Sequence, residues 1–153
     1  MKSIKAVLFV LAVMGLFSTG LACKRHKKKN NKHQTEHIQT DMKSTLNKKW
    51  ILTDMEGVEG KISGMSGDVF MQIDTKTNQL NGKAPCNSYF GSFDSNYTST
   101  FKVGNVGSTK MYCEPEMKNE DLFFAHLNKV DAFKIVDGKL QLLVGNQVVL
   151  KFK

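Results

Sequence analysis

A chain of 153 residues has room for one domain, and its apolar and charged fractions, 41% and 24%, are ordinary for a globular protein. The net charge of +8 belongs to a tail, because residues 1–45 hold nine Lys or Arg against Glu36 and Asp41 alone. From Leu46 onward 13 basic residues face 12 acidic ones, and a folded part so nearly neutral excludes electrostatic nucleic-acid binding.

In chain order, Lys2 and Lys5 precede the apolar run AVLFVLAVMGLF (6–17), and STGLAC (18–23) supplies the small residues of a cleavage zone. The run is shorter than the roughly 20 residues a spanning helix needs, so residues 1–22 read as a secretory signal. Ending at a cysteine after Leu21 and Ala22, the segment is similar to the bacterial lipobox, although Gly20 stands where an aliphatic residue is usual. That likeness implies cleavage before Cys23 and a lipid on its sulfur; an ordinary secreted protein cut near Ala22 is the alternative. Lys24 is not the aspartate that retains lipoproteins in the inner membrane of enteric bacteria, so an outer-membrane location in the bacterial envelope is favoured.

Residues 23–45 then form an expected disordered tether, too poor in apolar side chains to offset the entropy of ordering. Its basic block, 24–32, is suited either to anionic headgroups or to a solvated spacer. His26, His33 and His37 lie in the tether, and in a disordered stretch they make no metal site.

The domain is expected over 46–153. Trp50 and Leu52 alternate in a first strand, and VEGKISGMSG (58–67) reads as a loop. Val69, Met71 and Ile73 mark a second strand, and a polar turn leads to a third around Leu80. SYFGSFD (88–94), TSTFKVG (98–104) and VGSTKMYC (106–113) follow as further strands. The helix is expected over about 115–130, with Pro115 at its first position and Glu114, Glu116, Glu120 and Asp121 near its positive end. Met117, Phe123, Phe124, Leu127 and Val130 form its apolar stripe, and His126 lies at the margin. Asp137-Gly138 and Gly145-Asn146 divide residues 132–152 into a three-stranded meander. The expected fold is mainly β (α+β): a compact antiparallel sheet or barrel of about eight strands with one packed helix.

Chemistry is sparse. A Cys86 nucleophile needs a base, and His126, with Asn87 or Asn128 as orienter, is the one histidine from Leu46 onward. The local sequence carries no cysteine-protease signature. Cys86 and Cys113 are 27 residues apart without a CxxC pair, unlike a zinc site. No Gly-x-Ser-x-Gly elbow and no phosphate-binding glycine loop occur. With Cys23 committed to lipid, Cys86 and Cys113 remain as an even pair in an oxidising compartment, either bonded or packed as free thiols. The expectation is therefore no catalysis, no cofactor and no metal.

Trp50-x-Leu52, LNGKAPCNSYFGSF (80–93), VGSTKMYC (106–113), the helix with Glu120, Phe124 and Leu127, FKIVDGKLQLL (133–143) and the closing VVLKF together resemble the META domain family. That family includes the HslJ-like bacterial heat-shock lipoproteins. Trp50, Gly82, Cys86, Asn87, Gly91, Thr109, Met111 and Cys113 occupy its motif positions, while Pro85 stands directly before the cysteine where the family has glycine. The resemblance covers about 46–153. It implies a β-rich envelope domain linked to stress tolerance, antibiotic resistance and motility, with paired cysteines and no established catalytic residues. Asn87, Gly91, Thr109 and Met111 are then structural, the asparagine side chain bonding a turn. A monomer anchored through Cys23 is expected, supporting the envelope or capturing a peptide or protease of that compartment.

Overall fold

The computed structural model describes residues 30–60, 62, 64 and 67–153. The expected signal peptide, Cys23 and most of the basic block lie outside the described residues. Eight strands and two helices follow in the order α1 (Asn30–Leu46), β1 (Lys49–Met55), β2 (Phe70–Asp74), β3 (Gln79–Lys83), β4 (Ser88–Asp94), β5 (Lys102–Ser108), α2 (Met117–Leu127), β6 (Ala132–Val136), β7 (Lys139–Val144) and β8 (Gln147–Phe152).

All the strand pairs are antiparallel, in the spatial order β5-β4-β3-β2-β1-β8-β7-β6. Apart from β5 and β6, each strand neighbours the next in sequence, and the last returns to the first. Residues 99–101, just before β5, meet the start of β6: Phe101 N–H donates to Asp131 O at 3.2 Å and Phe133 N–H to Ser99 O at 2.8 Å. The sheet thus curls into a closed barrel, which removes most of its exposed edge.

The inward side follows from alternation. Trp50, Met71 and Ile73, Leu80, Tyr89 and Phe93 point in from successive strands, and Leu140, Leu142, Leu150 and Phe152 complete the lining. Phe93, Phe101 and Phe133 form a chain of ring contacts across the seam, with centroids 4.9 and 6.1 Å apart. The expected Asp-Gly hairpin stands between β6 and β7, where Asp137 (φ 51°) and Gly138 (φ 72°) take the left-handed pair of a tight primed turn.

The helices pack at opposite ends. α2 lies over the end that carries the close of β1 and the β3–β4 turn, burying Phe123 and Leu127. Phe123 meets the edge of the Tyr89 ring at 5.5 Å. α1 docks by its last turns on the other end: Trp50 Nε1 donates to Leu46 O at 3.0 Å, and Thr75 Oγ1 to Lys43 O at 3.2 Å.

Three sequence expectations need correction. Residues 30–45 are not a disordered tether but most of α1; Ile38, Met42 and Leu46 recur every four residues, and burial deepens along that line from exposed to fully buried. The single packed helix is therefore one of two. Pro115 is not the first residue of α2, because the helix opens at Met117 after the N-cap Glu116. Finally, the two strands expected over 98–104 and 106–113 are one strand, β5. The strand ends at Ser108: Thr109 N–H still donates to Ser88 O at 3.0 Å, but Met111 N–H turns to the Asn87 side chain.

Candidate functional site

The motif residues converge beneath α2. Cys86 and Asn87 form the β3–β4 turn, closed by a hydrogen bond from Ala84 N–H to Asn87 O at 2.8 Å. Cys86 is disulfide-bonded to Cys113, with Cα atoms 5.8 Å apart, so the turn is tied to the segment leading into α2. Both cysteines are buried.

Asn87 is the centre of this knot. Its Oδ1 accepts from Thr109 Oγ1 at 2.7 Å and from Met111 N–H at 2.8 Å. Its Nδ2 donates to Met111 O at 3.1 Å and to Glu120 Oε1 at 2.6 Å. All four hydrogen-bonding positions of the amide are filled, which fixes its orientation. Thr109 Oγ1 also accepts from Ser88 N–H at 3.2 Å. The expected role for Asn87 was to bond its own turn; the side chain instead reaches a segment more than twenty residues away.

Glu120 answers from α2. Its Oε2 accepts the backbone N–H groups of Cys86 and Asn87 at 2.7 and 2.6 Å, so the carboxyl group receives three donors while only 3% exposed. A buried carboxylate is costly without hydrogen-bond donors, and here three charge-assisted N–H donors offset that cost. From the sequence Glu120 is accounted for by the helix dipole, as one of the acids near the helix start. The signal that distinguished it was its position: it falls on the side of the helix that also carries Phe123 and Leu127.

The other motif positions serve packing. Trp50 is fully buried. A Cβ on Gly82 would lie 2.0 Å from Phe70 O and 2.9 Å from the Tyr89 ring, so glycine leaves the space through which Tyr89 passes to bond Phe70 O at 3.2 Å. Burial pushes the Tyr89 phenol far above its ordinary pKa, keeping it a neutral donor. A Cβ on Gly91 would meet Gly104 O at 3.1 Å on the neighbouring strand. Met111 contributes through its backbone, and its side chain is exposed beside Tyr112 at a cleft of about 370 Å³ that borders the knot. Pro85 is buried, and its backbone lies against Gly64, where a Cβ would stand 2.6 Å from Pro85 O.

His126, considered as a base for Cys86, has its Nε2 3.0 Å from Glu56 O at the close of β1. It is not brought to the cysteine. Among the described residues no group of three or more His, Cys, Asp or Glu could hold a metal ion, and no helix is long and apolar enough to cross a membrane. Chemically, the knot clamps three segments together: the β3–β4 turn, the 109–113 segment and α2.

Comparison with known proteins agrees with this architecture. A protein from Burkholderia xenovorans solved by NMR has a similar fold, with a TM-score of 0.56 at 19% identity over 75% of this chain and 86% of that one. A second NMR structure has a TM-score of 0.57 at 13% identity, over 72% of this chain and 92% of the other. No curated protein matches. The META domain profile matches residues 40–153, the docked end of α1 and the whole barrel, and the chain belongs to the META domain family.

Proposed function

We propose that this chain is a non-catalytic, lipid-anchored protein of the bacterial envelope whose META domain supports envelope integrity under stress. The observation that carries the non-catalytic part is the knot itself. Cys86 is in a disulfide and has no thiolate to offer, and Asn87 has no hydrogen-bonding position left for a substrate. The residues that define the motif are spent on holding the fold. A domain braced by a disulfide suits an oxidising compartment, in keeping with the signal and Cys23 read from the sequence.

Intact mass spectrometry of the membrane fraction tests the anchor. The expected species begins at Cys23 and carries diacylglyceryl, and Cys23→Ser releases the protein from membranes. A chain cut near Ala22 without lipid, or one that stays bound after Cys23→Ser, refutes it. Residual binding that disappears with added salt would assign the attachment to the basic block 24–32.

A further inference from the structure

On the outward face of the barrel one cross-strand row runs Lys49–Gln72–Asn81–Phe90–Gly107 over β1 to β5. The next row on the same face runs Ile51–Phe70–Lys83–Ser88. Phe90 is 65% exposed, an unusual condition for an aromatic ring at the middle of a strand. Its ring is seated over Gly107: a Cβ there would meet Cζ at 2.8 Å and the two Cε atoms at 3.2 Å. The glycine supports the ring from one side and leaves the rest to solvent.

Two shallow depressions, of about 520 and 410 Å³, lie on this face, and Phe90 and Asn81 line both. The polar groups around the ring are amides, lysines and one carboxylate: Asp74 lines the larger depression with Lys76, and its Oδ1 accepts from the N–H groups of Lys76 and Thr77 at 2.8 and 3.4 Å. The Asn81 amide is exposed and makes no hydrogen bond to the described residues, and Gln72 adds a second amide in the same row. Lys83 and Lys49 bring positive charge from the flanking positions, Lys49 lying over the Phe70 ring at 3.9 Å.

From this arrangement we infer that the face binds a glycan strand of N-acetylated hexosamines bearing carboxylates, the chemistry of the murein glycan. A pyranose turns weakly positive C–H groups outward from its flat side, which match the negative face of an exposed ring. Amide side chains pair with acetamido and hydroxyl groups, and the lysines with carboxylates. The two depressions on either side of one ring suit successive sugars of a chain. A protein partner fits less well, because a stable interface needs about 800 Å² on each side around a desolvated apolar centre, whereas here one ring is rimmed by amides, ammonium groups and the Asp74 carboxylate.

The choice of this glycan rests on the envelope reading, but the test uses purified components and does not depend on whether Cys23 carries lipid. Full-length protein in detergent is titrated with murein glycan chains stripped of their peptides by amidase, and with neutral chitotetraose, while backbone amide NMR shifts are followed. The expected result is movement at Asn81, Lys83 and Phe90, stronger with the carboxylated chains. Phe90→Ala and Asn81→Ala should each weaken binding by about tenfold. Phe90→Trp, which keeps a flat ring, should retain it, and a dispersed spectrum shows that each variant is folded. Absence of any response, shifts confined to other faces, an equal response to both glycans, or binding unchanged by Phe90→Ala and Asn81→Ala together would overturn the proposal.

Discussion

At the scale of single residues, Glu120 and Asn87 carry the specificity of the domain. Replacing Glu120 by Gln keeps the shape but turns an NH₂ group toward a donor whichever way the amide lies, either the Cys86 and Asn87 N–H groups or Asn87 Nδ2. Glu120→Gln should therefore lower unfolding stability by about 2–3 kcal/mol, read as a shift in the urea midpoint with an unchanged slope. Asp121→Asn, one position on and exposed, should stay within about 0.5 kcal/mol. The sequence names both residues but not their contact, for a physical reason. A carboxylate in the first turn of an acidic helix start is well explained by the dipole alone. The N–H groups that claim it come from a turn more than thirty residues earlier.

At the scale of elements, α1 shows how a marginal helix is decided by docking. It is polar along most of its length, and the composition of 24–45 was read as a tether for that reason. Its last turns nevertheless find partners: Leu46 is fully buried, Met42 packs against the core, and Lys43 lies 4.6 Å from the centre of the Tyr97 ring. Leu46→Ala should cost about 2–5 kcal/mol, whereas Ile38→Ala, at an exposed position of the same stripe, should be nearly neutral. Equal losses at both positions in thermal unfolding would show that the whole helix is docked rather than its end. The four-residue recurrence of Ile38, Met42 and Leu46 was legible in the sequence. Three apolar residues among polar ones are too few to predict a helix without the surface that receives them.

At the scale of the molecule, the barrel is closed by local means. Neighbouring strands follow one another in the chain, and the one long return is β8 against β1. The disulfide spans the connection from the β3–β4 turn to the approach of α2 and closes a loop whose entropy in the unfolded chain is worth about 3–4 kcal/mol. The double variant Cys86→Ala/Cys113→Ala should lose stability of that order under oxidising conditions. The natural chain should lose it on reduction, while the double variant should not respond to reductant. A chain whose urea midpoint does not move on reduction would show that the hydrogen-bonded knot suffices alone.

What the sequence determined by itself is what depends on local pattern. Period-two alternation placed the inward faces of most strands, Asp137-Gly138 placed a hairpin, and the apolar stripe placed α2 to within two residues at its start. The ordered motif from Trp50 to Cys113 was enough to recognise the family. Tertiary structure alone decided what depends on distant groups meeting. It made one strand, β5, of the two expected, and ended it at Ser108, where the Asn87 side chain takes the Met111 N–H. It ordered residues 30–45 of the expected tether as helix, and it made Glu120, expected as an acid near the helix's positive end, a buried acceptor. Hydrogen-bond donors and acceptors have short reach and no sequence period, so only the folded chain reveals which of them are paired.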